Sequence, residues 1–229
     1  MAELGSKTSR MIKSSDEISK IRKAVGYTEE AIATVLAEFK RGMTEKELEA
    51  IVKKLAADKG LKVRFCLIQG DRNSATIHGK PTGHKIKDIL LLDIGLVYKG
   101  YHGDVTRTHI LNPNRQMKKI YSIVKKAHEK SIEGTKLGAE CMAVDAIARN
   151  IITKSGYKFK HSLGHGIGKQ IHEYPKISRK SNHVFQRGMT FTIEPGIYLR
   201  NMFGVRLEDC FLLKNKLHKL SKLKIPEYD

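Results

Sequence analysis

The 229-residue chain has no tryptophan, 3 cysteines, 5 prolines and far fewer acids than bases. Its cysteines, Cys66, Cys141 and Cys210, are odd in number and widely separated, with no Cys-x-x-Cys pair. That excludes a disulfide framework and a zinc knuckle, and it suggests a reducing, cytoplasmic compartment. No apolar run approaches the roughly 20 residues that a membrane-spanning helix needs. Met1 to Lys20 is polar and charged throughout, so no secretory leader and no membrane partner are expected. The acids number 24 against 43 lysines and arginines, giving a formal net charge of +19. Such an excess suits nucleic acid, the ribosome or another anionic surface. However, there is no basic motif interleaved with aromatics and no arginine cluster. The 31 lysines and 12 arginines are spread over the whole chain, so the favoured reading is a solvated lysine-rich surface.

Hydrophobic residues at 40% and charged residues at 29% describe a soluble globular protein long enough to bury a substantial core. Residues 1–10 lack periodicity and read as a flexible tail, leaving one domain over residues 11–229. Ser14 to Glu17 signals a helix start, apolar residues follow at helical spacing, and Gly42 is expected to end that helix. Thr44 and Glu47 resemble a capping box for a second helix, Glu45 to Lys59, stopped by Gly60. Leu61 to Gln69 reads as a strand and Gly70 to Lys85 as a polar loop with His78 at its middle. After Asn112-Pro113-Asn114, helices are expected over Gln116 to Gly134 and Met142 to Ser155, then a strand over Tyr157 to Ser162. Lys40 to Phe65 resembles Lys136 to His161 at a constant offset of 96, with Gly42 matching Gly138 and Gly60 matching Gly156. A duplicated helix–helix–strand unit predicts a pseudo-twofold fold with its site between the halves.

The most informative stretch is Leu90 to Thr108, LLLDIGLVYKGYHGDVTRT. It reads as two strands joined by a tight turn at Lys99-Gly100. Tyr98 then pairs with Tyr101 and Asp93 lies opposite Thr106, which makes Asp93 and Asp104 diagonal neighbours on one face. Two carboxylates so placed in an apolar sheet need a metal, a shared proton or a basic partner. Further along, His165 sits in the glycine-rich stretch Gly164 to Gly168, read as a loop, and His172 follows beside Pro175. Glu194 ends an apolar strand before Pro195-Gly196, and Glu208 sits in another apolar strand. Four acids in strands, together with one imidazole, make a two-metal site the economical reading, and the oxygen-rich donor set leans toward Mn²⁺, with Co²⁺, Zn²⁺ or Fe²⁺ admissible.

The segments HGDVTRT, LGHGIGKQIHEYP, GMTFTIEPGIY and GVRLEDCFLL together resemble the signatures of the pita-bread metallopeptidases. That family includes methionine aminopeptidases, Xaa-Pro aminopeptidases and prolidases. The resemblance covers about Ser14 to Leu220. It implies an α+β fold of duplicated α–α–β units around a curved antiparallel sheet, with a five-ligand dinuclear centre. By that resemblance Asp93 would chelate one metal, Asp104 and Glu208 would bridge both, and His165 and Glu194 would hold the second. A bridging hydroxide would attack the scissile carbonyl, with Glu194 as proton shuttle. His78 and His172 would contact the scissile peptide group. The last motif, GVRLED, resembles the Xaa-Pro branch, and Arg206 would either bind a substrate carboxylate or neutralise the acid cluster. Xaa-Pro relatives usually carry an additional domain ahead of the catalytic one, and this chain begins almost at the catalytic domain. On the GVRLED motif, and despite that departure, the expected function is removal of an N-terminal residue ahead of proline, by a monomer or homodimer acting on peptides. The alternatives are a methionine aminopeptidase and a non-catalytic binding module that uses its basic surface.

Overall fold

A computed structural model of the chain describes residues 11–228, so the tail expected over residues 1–10 lies outside the described residues. The first helix begins with a reciprocal cap. The Glu17 amide donates to Ser14 Oγ (3.3 Å) and the Ser14 amide to the Glu17 carboxylate (2.9 Å), which satisfies donors that a helix start leaves orphaned. Helix α1, Ser15–Glu38, then buries Ile21, Ala24, Val25, Thr28, Ala31, Ile32 and Val35, the three-and-four spacing of one face. It stops short of the expected Gly42. Phe39 already turns out of the helix (φ −59°, ψ 127°), and Gly42, at φ 92°, serves the turn into the next helix. Helix α2, Glu45–Asp58, starts at the predicted Thr44–Glu47 capping box. Strand β1, Lys62–Gly70, follows, and the expected loop after it opens with a short 3₁₀ turn, Asp71–Ala75.

Strands β2, Ile89–Tyr98, and β3, Tyr101–Ile110, form the expected hairpin. Lys99 (φ 47°) and Gly100 (φ 80°) supply the two consecutive left-handed residues that a two-residue turn requires. Tyr98 faces Tyr101, Asp93 faces Thr106, and Asp104 faces Gly95.

The second half repeats the first. Helix α3, Arg115–Gly134, is capped by Asn114, which accepts from the Met117 amide (2.9 Å), and helix α4 spans Cys141–Lys154. The Leu61 amide reaches the Ala56 carbonyl (2.8 Å) just as the Tyr157 amide reaches Ile152 (3.2 Å). The Glu45 amide donates to the His84 carbonyl (3.2 Å) just as that of Cys141 donates to His183 (2.9 Å). The strand expected over Tyr157 to Ser162 does not form. Arg149 occupies the carbonyls of Phe159 (2.8 Å) and His161 (3.0 Å), acceptors that a ladder would need. The remaining strands are β4, Gly164–Gly166; β5, Glu173–Ile177; β6, Thr190–Ile193; β7, Gly196–Leu199; β8, Phe203–Arg206; β9, Asp209–Leu213; and β10, Leu217–Lys219.

The strands form an antiparallel sheet β1–β2–β3, a second of order β10–β9–β6–β4–β5, and the pair β7–β8. A single bridge, Thr106 to Glu208, joins the first two sheets. One apolar cluster, including Ile21, Leu48, Ile68 and Leu92, lies under the first helix pair, and another, including Val124, Ala148, Phe191 and Phe211, lies under the second. Each fully buried Leu or Ile contributes about 1.5–3 kcal/mol to holding helices on sheet. Among the described residues no helix is long and apolar enough to cross a membrane.

Candidate metal centre

The seam between the two sheets is where the unusual acids meet. Asp93 lies mid-β2 and Asp104 mid-β3. Glu194 follows β6 directly, and its amide donates to the Leu163 carbonyl (2.8 Å). Glu208 is not inside a strand, contrary to expectation. The chain changes partner there, from β7 on one side to β6 on the other, and Glu208 pairs across to Thr106 in the gap. His165 also departs from the loop read in the sequence, since it is the centre of strand β4. The flanking glycines are packing devices: a Cβ on Gly164 would lie 2.0 Å from the Thr192 carbonyl oxygen, and one on Gly166 2.2 Å from that of Tyr174. All five residues line one cavity of about 1000 Å³, together with His78, His172 and Arg206.

The donor atoms converge. Asp104, His165 and Glu208 each offer one ligand atom, all within 4.8 Å of one another. His165 Nε2 stands 3.4 Å from Glu194 Oε1 and 3.7 Å from Asp104 Oδ2. His165 Nδ1 lies 3.0 Å from the Gly166 carbonyl, to which it can only donate. That bond fixes the tautomer and turns the Nε2 lone pair toward the acids, the arrangement of a metal-ligating imidazole. Burial, with the neighbouring His172, lowers the His165 pKa to about 3, so these contacts join a neutral ring to carboxyl groups and are not ion pairs.

Four carboxyl groups here share one buried cation, Arg206. Its guanidinium bonds Asp93, the Tyr198 hydroxyl (2.7 Å) and Thr106 Oγ1 (3.3 Å), and the residue is 2% exposed. Burial, then the Glu208 charge, raises Asp104 and Glu194 well above the carboxylate range, and burial with Asp93 pushes Glu208 up to about 7. Among the described residues, Asp93 Oδ1 and Asp104 Oδ1 are buried without a hydrogen-bond partner. A site with surplus negative charge, orphaned carboxylate oxygens and a pre-oriented imidazole fits divalent cations, which would satisfy all three at once.

Two histidines stand at the cavity without belonging to the donor cluster. His172 packs edge-on against His165 with ring centroids 4.3 Å apart, and burial, then His78, holds its pKa below the usual value. His78 is exposed on the loop after β1. The sequence reading singled out neither Thr106, Tyr198 nor His161. Thr106 Oγ1 donates to Glu208 Oε2 (2.7 Å). The Tyr198 hydroxyl links Arg206 to His161 Nε2 (3.0 Å). Thr106 could have been found from its place opposite Asp93, whereas Tyr198 and His161 carry no such signal.

A duplicated α–α–β fold whose acids and imidazole gather at the seam defines the class of pita-bread metallopeptidases. The model of metallopeptidase family M24 matches residues 19–215, and the chain belongs to that family. It is similar to an uncharacterised peptidase of Methanocaldococcus jannaschii, with 41% identity over 97% of this chain and 67% of that protein. It is likewise similar to the Xaa-Pro dipeptidase of Pyrococcus horikoshii, at 40% identity over 93% of this chain and 63% of the relative. Among solved structures, the prolidase from Pyrococcus horikoshii superposes with a TM-score of 0.92 at 37% identity, over 96% of this chain and 65% of that one. The X-Pro aminopeptidase of Thermotoga maritima does so with a TM-score of 0.92 at 33% identity, over 97% and 65%. The chain thus spans about two thirds of the length of these relatives. The names they carry do not favour the methionine aminopeptidase alternative.

Proposed function

We propose that the chain is a metal-dependent exopeptidase that removes the N-terminal residue ahead of proline. The observation that carries this reading is the convergence of Asp104, His165 and Glu208 donor atoms within 4.8 Å in a cavity that also holds Asp93 and Glu194. The relatives named Xaa-Pro dipeptidase support the substrate class.

Asp93, Asp104, His165, Glu194 and Glu208 would hold two divalent cations, with Mn²⁺ suited to the oxygen-rich donors. Cations in such a site supply a nucleophilic hydroxide at neutral pH and polarise a carbonyl. The chain's own groups do the rest. Glu194, at the cavity wall, takes and returns the proton through its carboxyl oxygens. His172, neutral at pH 7, donates an imidazole N–H to the scissile peptide group, and His78 flanks it from the opposite loop. Arg206 bonds Asp93, Tyr198 and Thr106, which supports the reading that it compensates the acids rather than clamping a substrate carboxylate. The three buried free cysteines agree with a reducing compartment such as the cytoplasm.

The test is hydrolysis by protein stripped of metal and reloaded with Mn²⁺, comparing Ala-Pro, Ala-Pro-Ala and Met-Ala-Ser. Cleavage of a proline peptide is expected. Cleavage of Met-Ala-Ser alone would move the chain to the methionine branch, and no cleavage with any metal would overturn the reading.

A further inference from the structure

A second cavity, of about 640 Å³, opens beside the metal centre and shares His161, Ser162, Tyr174 and Lys176 with it. Its lining carries Arg149, Lys160, Lys176, Arg179 and Lys180 and not one acid. Arg149 is committed to Asp145, through Nε (2.8 Å) and Nη2 (2.9 Å). Lys160, Lys176, Arg179 and Lys180 are exposed, and none of them is ion-paired among the described residues.

The two cavities lie along one face of β5. On that strand Tyr174 and Lys176 are exposed while Pro175 and Ile177 are buried. Lys176 pairs directly with His165 across the β4–β5 ladder, so their side chains start about 4.5–5.5 Å apart on the same face. Beyond β5, a tight turn is closed by the Ser181 amide on the Ser178 carbonyl (3.0 Å) and carries Arg179 and Lys180 at its tip. The cationic series therefore begins beside a candidate metal ligand and runs away from it. An extended peptide advances about 3.3–3.6 Å per residue. Side chains two or three residues past a scissile bond at His165 thus fall roughly 7–11 Å along this face, against the unpaired cations.

We propose that this basic cavity is a subsite for acidic side chains downstream of the scissile bond. On the peptidase reading above, the chain then prefers Xaa-Pro peptides longer than a dipeptide with Glu or Asp after the proline. The local placement of charge, and not the overall excess of +19, is what selects the substrate.

The test compares kcat/KM for Ala-Pro-Glu-Glu and its neutral isostere Ala-Pro-Gln-Gln, with the Mn²⁺-loaded full chain and its R179E/K180E variant. Binding of a fluorescein-labelled Ala-Pro-Glu-Glu is followed by anisotropy in parallel. The acidic peptide is expected to be preferred by roughly three- to tenfold, the scale of a few exposed charge pairs. That preference should vanish in R179E/K180E and in 0.5 M salt, where the screening length falls to about 4 Å. Equal kcat/KM for the two peptides in the unaltered chain would overturn the inference while leaving the peptidase reading intact. If neither peptide is cut but the acidic one still binds through Arg179 and Lys180, the peptidase reading fails and the subsite stands. Displacement of the labelled peptide by a uridine oligonucleotide at lower concentration than by free Ala-Pro-Glu-Glu would reassign the cavity to nucleic acid and overturn the proposal.

Discussion

Arg107 backs the candidate metal centre through the Glu208 carbonyl, is fully buried, and makes four hydrogen bonds. It donates to the carbonyls of Thr106 (2.9 Å), Glu208 (2.6 Å) and Leu223 (2.6 Å) and to Asp209 Oδ1 (2.6 Å). Arg107→Met keeps the volume and removes every donor. Breaking a buried ion pair from one side costs about 3–5 kcal/mol, because the partner charge stays buried. Here Asp209 retains Lys219 at 2.6 Å. It gains little from His128 at 3.3 Å, since burial lowers that pKa to about 4 and keeps the ring neutral. The lower end of the range is therefore expected, about 3 kcal/mol. In a chain of this length that corresponds to a melting temperature roughly 6–12 °C lower. Circular dichroism melts of Arg107→Met, Asp209→Leu and the double variant measure it. The double variant should recover part of the loss, because an apolar pair leaves no fully buried charge unpaired and Lys219 is exposed enough to be solvated. Arg107 also holds the Glu208 backbone, so cation affinity at 25 °C should fall while the variant is still folded. A melting temperature within about 2 °C of the unaltered chain would refute the reasoning and show that Lys219 alone suffices for Asp209.

Asp104→Asn or Glu208→Gln should abolish binding of two cations per chain, measured by elemental analysis, and turnover with it, while the far-ultraviolet spectrum is kept. Full turnover in either variant would sink the ligand assignment. His172→Ala should lower kcat by roughly 10²–10⁴, and a rise in KM alone would remove its proposed role. Gly164→Ala should destabilise by about 1–3 kcal/mol or more, since its Cβ would meet the Thr192 carbonyl at 2.0 Å; unchanged denaturant midpoints would contradict the close packing of β4 on β6. Asp71 gives the pH dependence. Burial pushes its carboxyl up, but the amide of Asp88, His84 and the amides of Ile89 and Lys87 outweigh this and hold the pKa below its ordinary value. Its stabilisation is therefore present above the unfolded pKa of about 3.9 and is lost as pH falls through the lower folded value. Asp71→Asn should flatten that acid limb in urea titrations at pH 2–5, and an unchanged limb would refute it.

The β2–β3 hairpin was fully legible in the sequence, including its register, because turn chemistry and side-chain alternation agreed at Lys99-Gly100 and Asp93. The duplication was legible because its glycine stops recur at fixed spacing. Gly42, Gly60, Gly138 and Gly156 all adopt positive φ. Local pattern failed where tertiary contacts decide the structure. Strand β4 is three residues long between glycines, too short for any periodicity, and it exists because its neighbours approach closely. The strand expected over Tyr157 to Ser162 had the right residues, but Arg149, from the preceding helix, takes its carbonyls. Four of the five candidate ligands could be named from acids in or beside apolar strands, and His165 from its place in a glycine-rich stretch. The partners of Arg206 could not, because Tyr198, Thr106 and Asp93 are 8, 100 and 113 residues away.

The bridge from Thr106 to Glu208 means that neither half of the chain owns a complete set of donors. Residues up to Ile110 supply Asp93 and Asp104, and those after Asn114 supply His165, Glu194 and Glu208, across the exposed connector Leu111 to Asn114. The closing segment clasps back over the first half, where Glu29 accepts from the amides of Lys222 and Leu223 and Tyr228 accepts from that of Ile110 (2.7 Å). With cations held by these residues, occupancy and the joining of the halves would be one linked equilibrium. A cation at a hundred times its dissociation constant should stiffen the seam by about 2.7 kcal/mol. A chelator should be felt as easier opening along the β3–β9 junction, read by faster amide exchange there, before either helix pair loosens. A centre so placed would act as a clasp whose state reports whether the two repeated halves are still shut together.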